Sequence, residues 1–482
     1  MASVETRGRR SPSHRVRRAT PRSSRRARHR RGLGAPARYL VTATASSSLG
    51  DGLALVAFPL LALRYTHNPL LVAGVAFADT IPALLFGLPA GVLADRWPRR
   101  MMARAAEWIR LGVLAAFVAL IVLGLDSLWS LYATVFLIAS FEQVYKAAAF
   151  SSLPAIVPSD LLGRANSRLW VADTSGEQFI GQGLGGLALG ASRALPFAVD
   201  AVSFAASAIL VGRALPPEAP AEPDEAGRKE RNLRAELAEG LRWFASHPVL
   251  RLLAALIGSF ALCQFIVAAI VVLYARRVLH LSNAEYGLLM AVAAVGSVLG
   301  SLAADRVSGR LGAIPSTVLG GVLTAGAYLG LAAWRSPVGL VVFLMLESLA
   351  VPVASVASLT LRQRLIPSEL LGRVGMVFRL FLYGAMPLGA LIGGLLAAHL
   401  PYREVFLVAG GLQLTLLLAL SSRLIPRARA DQQIIDLEGR SGRQTDASGD
   451  AAVIELDPVI DLGAEDEAAV RSGGRATSPG DD

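Results

Sequence analysis

Four acidic side chains stand where an acid is costly. Asp51, Asp79, Glu177 and Glu347 each fall inside an apolar run long enough to cross a bilayer. An ionisable group at that depth costs roughly 2.5–3.5 kcal/mol on insertion scales, so each asks for a reason. Asp51 lies about 12 residues into its run, close to mid-depth at 1.5 Å per residue. Glu177 and Glu347 are similarly placed, whereas Asp79 sits nearer one end. A carboxylate sealed from water favours its neutral form, and one opened to water its ionised form, which is the coupling device of a proton antiporter. Asp51 and Glu177 are the leading proton or cation sites, with Glu347 and Asp79 behind them. The alternative for Asp51 is structural: Gly50-Asp51-Gly52 also reads as a packing site with local hydrogen bonds. Glu142 and Lys146 are four apart on one helical face and are expected to neutralise each other.

The elements that hold these residues follow from composition. The chain of 482 residues is 54% hydrophobic and only 17% charged, against roughly 25% charged in ordinary domains. The apolar residues come as about twelve runs near 39–63, 70–94, 101–125, 128–150, 167–190, 195–213, 249–275, 283–304, 313–334, 337–360, 374–398 and 402–424, each near the length of one crossing. Single runs of this kind must be helices, because every backbone N–H has to be satisfied within its own segment. The expected fold is an all-α polytopic membrane protein with two six-helix bundles, 39–213 and 249–425. Between them lies a linker, 214–248, whose Leu233, Leu237, Leu241 and Phe244 recur at helical spacing and predict an amphipathic helix on the inner surface. An arginine-rich tail, 1–38, and an acidic tail, 426–482, are expected to be disordered. The basic tail suits anionic lipid on the cytoplasmic face better than nucleic acid.

Arginines set the orientation. The loops after the second, fourth, eighth and tenth runs carry Arg96/Arg99/Arg100, Arg164/Arg168, Arg306/Arg310 and Arg362/Arg364/Arg373, while the alternate loops are poorer. Both termini are therefore expected in the cytoplasm, and the chain in the cell (inner) membrane.

Two loops recur. Ile156–Arg164 (IVPSDLLGR) returns as Leu365–Arg373 (LIPSELLGR), and Leu93-Ala94-Asp95-Arg96 as Ala303-Ala304-Asp305-Arg306, at separations of 209 and 210 residues. Two independent loops at nearly one offset mark a duplication. Halves of equal topology are related by an axis along the membrane normal and place their site between them near the midplane.

Gly91–Arg100 (GVLADRWPRR) resembles the signature of the major facilitator superfamily, between the second and third helices, with Trp97-Pro98 in place of the usual glycine-containing centre. Gly50-Asp51-Gly52 and the Val157–Leu161 loop resemble its efflux branch, which includes enterobactin-exporter-like and macrolide-efflux-like proteins. The resemblance covers about residues 39–425. It implies that Gly91, Asp95, Arg96 and Arg100, with their repeats Asp305 and Arg306, form a cytoplasmic gate. Arg373 and Arg379 are the proposed partners across it; plain topology anchoring is the alternative for the arginines. Exporters of this kind also carry a glycine-rich motif in the fifth helix. Here it appears as Gly181-Gln182-Gly183-Leu184-Gly185-Gly186, with Gln182 where that motif has Pro, and the eleventh run has a counterpart at Pro387–Gly394. Gly181, Gly185, Gly186 and Gly393 are expected to permit close helix approach.

Several chemistries are excluded. The text G-x-G-x-x-G lies mid-run and follows no strand, so it is no dinucleotide site. Lys146 and Lys229 are the only lysines, and neither follows Gly, so there is no Walker A loop. The one cysteine, Cys263, reads as a small core residue, and no metal or other cofactor is expected. The chain is expected to be a non-enzymatic, monomeric secondary transporter that exports a hydrophobic or amphipathic small molecule against protons. A nutrient importer or facilitator, or a transporter-derived membrane scaffold or sensor, are the alternatives.

Overall fold

The computed structural model describes residues 33–216, 233–367 and 369–447, and every regular element among them is helical. The first half comprises α1 (Ala35–Tyr65), α2 (Pro69–Arg96), α3 (Arg99–Leu123) and α4 (Leu128–Ile156). A 3₁₀ turn (Ser159–Leu161) leads into a fifth rod, made of α5 (Leu162–Thr174), a π turn (Ser175–Gly181) and α6 (Gln182–Ala191); α7 (Leu195–Ala214) is the sixth. The amphipathic α8 (Leu233–Ser246) precedes the second half: α9 (Pro248–Arg277), α10 (Asn283–Leu311), α11 (Ala313–Ala333), α12 (Pro337–Leu365), α13 (Leu371–His399) and α14 (Tyr402–Ala447).

Twelve rods thus match the twelve expected crossings. Ten of the helices are long and apolar enough to span a membrane by length and composition. The two remaining rods are the ones that carry Glu142 and Lys146, and Asp173 and Glu177. Connections within each half are five residues or fewer, so successive rods run antiparallel and the loops collect at two ends. One end holds the Trp97-Pro98 hairpin and α8 and is called the hairpin end below; the other is the far end.

Four of the far-end helix starts carry side-chain caps, though α7, which also starts there, does not. At the far end Asn68, Ser127, Ser282 and Ser336 each accept a hydrogen bond from a backbone N–H of the first turn, which satisfies donors that a helix leaves bare. The starts of α1, α3, α5, α9, α11 and α13, at the hairpin end, have no such side-chain cap.

The duplication is visible in the packing. In the first half α1 packs on the fifth rod, α2 on α4 and α3 on α4; in the second, α9 packs on α13, α10 on α12 and α11 on α12. The two inter-half seams, α2 with α13 and α6 with α10, exchange under the same relation. Glycines make the correspondence atomic. A Cβ on Gly181 or Gly185 would lie 2.6 Å or 2.5 Å from the carbonyl oxygens of Leu49 or Leu53, and one on Gly389 or Gly393 would lie 2.4 Å from those of Ile266's side of the repeat, Leu262 and Ile266.

The ends of the described chain depart from the expected boundaries. Helix begins at Ala35, within the stretch expected to be a tail, and α14 runs on to Ala447, past 425. The rest of the expected basic tail (1–32), the linker's first part (217–232) and the acidic tail from 448 lie outside the described residues. In α8, Phe244 is buried as its spacing predicts, but Leu241 is half exposed. The packed face is centred on Gly240 instead, where an added Cβ would lie 2.7 Å from Arg373 O.

Candidate functional site

Gly50-Asp51-Gly52 is the hub of the first half, and each of its residues meets a different helix. The missing Cβ of Gly50 leaves room for α7: a Cβ there would lie 2.0 Å from Asp200 Oδ1. Gly52 admits the π turn, where a Cβ would lie 2.1 Å from Glu177 O. Asp51 accepts a hydrogen bond from the Arg110 guanidinium of α3. The packing reading of this tripeptide thus falls to Gly50 and Gly52, while Asp51 between them is held in an ion pair.

Arg110 is fully buried. Besides Asp51 it donates to Ser47 Oγ (3.0 Å), lies 3.7 Å from Glu107 Oε2 and stacks 4.0 Å over the Phe204 ring. Glu107 is also fully buried and accepts from Ser207 Oγ at 3.1 Å. Asp200 accepts from Ser203 Oγ at 3.2 Å through Oδ1, while its buried Oδ2 has no hydrogen-bond partner. Two carboxylates, Asp51 and Glu107, thus face one guanidinium, and Asp200 packs beside Gly50 next to them.

A second group adjoins it. Lys146 pairs with Glu142 at 2.5 Å, as their spacing predicts, and also lies 3.6 Å from Asp173, which accepts from Ser48 Oγ at 2.6 Å. Glu177 sits on the π turn and Asp79 on α2; neither has an ion-pair partner within 4 Å among the described residues. In the second half Glu347 stands alone among neutral donors, accepting from Gln264 Nε2 and Tyr328 OH, both at 3.1 Å.

Sequence reasoning did not single out Glu107, Arg110, Asp173 and Asp200. A signal existed for two of them, since Glu107 and Arg110 stand three apart in one apolar run and share a helical face. Asp200 is a lone acid in another run. Cys263 is buried in the core, and no metal-binding cluster occurs among the described residues.

The hairpin residues lie together at one end. Trp97 and Pro98 link α2 to α3, with Trp97 N donating to Leu93 O. Gly91, Arg96, Asp305 and Arg306 are exposed, and Arg306 donates to Leu302 O of its own helix. Arg100 is half-buried and Arg379 exposed. Arg373 is engaged by the linker: it pairs with Glu239 of α8 at 2.6 Å, while Phe244 of α8 packs against Phe378 and Phe381. The side chain of Asp95 is outside the described set, and no described ion pair joins the halves at this end.

At the far end the halves touch closely. A Cβ on Gly186 would lie 2.2 Å from Asn283 O and 2.8 Å from Gly287 Cα; at the symmetric position one on Gly394 would lie 2.4 Å from Ala73 Cβ. Arg277 of α9 donates to His67 O at 3.0 Å, tying the first inter-helix loop to the second half.

Comparison with known proteins agrees with this architecture. The Major Facilitator Superfamily profile matches residues 40–390 and 253–445. The multidrug efflux pump Tap of Mycolicibacterium fortuitum is 28% identical over 408 residues, covering 82% of this chain and 96% of that protein. An uncharacterised transporter of the same superfamily from Bacillus subtilis, YfiS, is 26% identical over 399 residues, 81% of this chain and 94% of its own length. Among solved structures, a bacterial homologue of the human lysosomal transporter Spinster, inward-facing and occupied, superposes with a TM-score of 0.64 at 15% identity, covering 82% of this chain and 96% of that one.

Proposed function

The chain belongs to the major facilitator superfamily, and from that premise we propose that it exports a hydrophobic or amphipathic small molecule in exchange for protons, by alternating access. The observation that carries the coupling is the excess of acid over base along the intramembrane rods of the first half. Arg110 and Lys146 are the bases among the intramembrane groups described above; Asp51, Asp79, Glu107, Glu142, Asp173, Glu177 and Asp200 are the acids. Uncompensated charge is too costly there, so protons balance what the bases do not. A carrier whose interior is sealed in one state and wetted in the other takes up and releases those protons as it turns. Asp51 and Glu177 are the coupling groups we propose, and Arg110 holds Asp51 in place between turns.

The export direction is supported by the relatives named as multidrug efflux pumps. The apolar rods with few neutral polar anchors suit a hydrophobic substrate. We place the hairpin end in the cytoplasm, on the bias of arginines toward it, and read the present arrangement as open toward that side. Its support is the close glycine contact at the far end together with the engagement of Arg373 by Glu239 rather than across the hairpin. Closure would release Arg373 to the Asp95 hairpin. We further propose that the chain works as a monomer in the inner membrane.

Everted vesicles test the reading. Uptake of a fluorescent lipophilic cation or dye, collapsing with an uncoupler, is the expected result. Asp51→Asn and Glu177→Gln should each abolish gradient-driven uptake while leaving downhill exchange. Full uptake in both variants would refute the coupling assignment, and accumulation in right-side-out vesicles instead would reverse the direction.

A further inference from the structure

The far end carries basic residues that the transport reading does not use. Under the bias that gathers arginines on the inner side, arginines on the opposite side ask for a reason. Arg64 at the end of α1, Arg193 after α6 and Arg276 at the end of α9 line one cavity of about 280 Å³, with Asn283 at the start of α10. Leu60, Leu61, Leu63 and Leu189 complete its lining. The guanidiniums are poorly neutralised. Arg193 lies 3.9 Å from Asp126, a carboxylate that also accepts from Tyr65. Arg276 donates to the backbone oxygen of Leu281. Arg64 has no acid within ion-pair distance among the described residues.

We propose that this cavity is a binding site for a phosphate-type anion, a phosphodiester headgroup or a free phosphate, clamped by Arg64, Arg193 and Arg276. Planar guanidiniums lining one cavity from two helix ends and a loop match the several oxygens of a phosphate better than one carboxylate. At about 280 Å³ the cavity sits at the small end of ligand sites, which run from roughly 300 to 1,000 Å³. The leucines of the lining suit the first carbons below a headgroup. Two of the arginines come from the first half and one from the second, so the anion bridges the halves where their far ends meet. Binding and far-end closure are then linked: the anion favours this state, and opening of the far end expels it.

The test uses the full chain, purified in neutral detergent, with three probes: inorganic phosphate, a short-chain phosphatidylglycerol and a short-chain phosphatidylcholine. Thermal stability and calorimetric binding are read for the wild type, Arg64→Gln, Arg193→Gln, and Arg335→Gln as an arginine of the same end outside the cavity. A saturable effect of phosphatidylglycerol, absent with phosphatidylcholine and weakened about tenfold by either cavity variant, supports a lipid headgroup; tenfold corresponds to about 1.4 kcal/mol. The same pattern with inorganic phosphate supports a free-anion site. Arg335→Gln should bind as the wild type does. Equal binding by all variants, or no binding of either anion by a wild type that melts cooperatively, overturns the proposal. Both readouts are independent of transport, so they stand or fall apart from the coupling assignment.

Discussion

The two halves share a backbone but not a chemistry. Leu49 and Leu53 of α1 offer their carbonyls to Gly181 and Gly185, and Leu262 and Ile266 of α9 offer theirs to Gly389 and Gly393. Between those contacts the side chains diverge. In the first half Asp51 meets Arg110, with Glu107 beside it and Asp200 against Gly50. In the second, at the equivalent place on α9, Gln264 meets Glu347, joined by Tyr328 and by no cation among the described residues. Close helix approach is what the two copies share; the cluster of ionisable groups is found in the first. Under the proposed coupling, proton handling falls to the first half, and Glu347 of the second plays a lesser part.

The hardest way to break this comparison is to remove Arg110. Arg110→Leu leaves Asp51 and Glu107 with no guanidinium, and breaking a buried pair from one side costs about 3–5 kcal/mol. Loss of monodisperse protein on size exclusion is the expected outcome. Adding Asp51→Asn and Glu107→Gln should restore folding without restoring gradient-driven uptake. If Arg110→Leu folds and couples normally, the cluster is ornamental.

Next in size is Gly50→Ala. Its Cβ would meet Asp200 Oδ1 at 2.0 Å, and overpacking of this kind costs about 1–3 kcal/mol. Asp200→Ala should relieve part of that loss, so the double variant melts above the Gly50→Ala single. Additivity of the two would mean that Gly50 and Asp200 do not meet.

Glu347→Gln should matter less. Its remaining carbonyl oxygen can still accept from Gln264 and Tyr328, so a stability change under about 1.5 kcal/mol is expected, with the response to a pH gradient retained. A loss of coupling as complete as that of Asp51→Asn would erase the contrast between the halves. The smallest effect belongs to the surface pair of Arg373 and Glu239. Glu239→Gln removes an exposed ion pair worth about 0.2–1 kcal/mol. A shift of up to about fivefold toward the closed hairpin end is expected, read as reduced labelling of a cysteine placed at the cytoplasmic mouth.

The rods were legible in the sequence because lipid forces each crossing into one continuous apolar segment. Asp51, Glu177 and Glu347 were legible for the complementary reason: an acid in such a segment is conspicuous. Their partners were not. Asp51 and Arg110 are 59 residues apart, and nothing local records that α3 and α7 converge on α1. The pairing of Glu142 with Lys146 was readable because four residues is one helical step. Arg373 shows another limit: its neighbour Glu239 belongs to a linker whose docking rests on Gly240, a residue without a side chain to advertise it. The missing proline at Gln182 left the bend of the fifth rod unassigned, and the π turn at Ser175–Gly181 takes that place in the chain.

That π turn has a consequence for how the fifth rod tolerates change. A wider turn holds one more residue than an α-helical path between the same flanking contacts, so excising a single residue from Ser175–Gly181 lets the segment revert to α-helix with Asp173 still beside Lys146 and Gly186 still against Gly287. Excising a second would rotate everything after it by about 100°. The segment is in this sense a phase adjuster, holding a spare residue between a polar lower rod and a glycine-lined upper one. A one-residue deletion there should be more forgiving than the same deletion in α5 or α6.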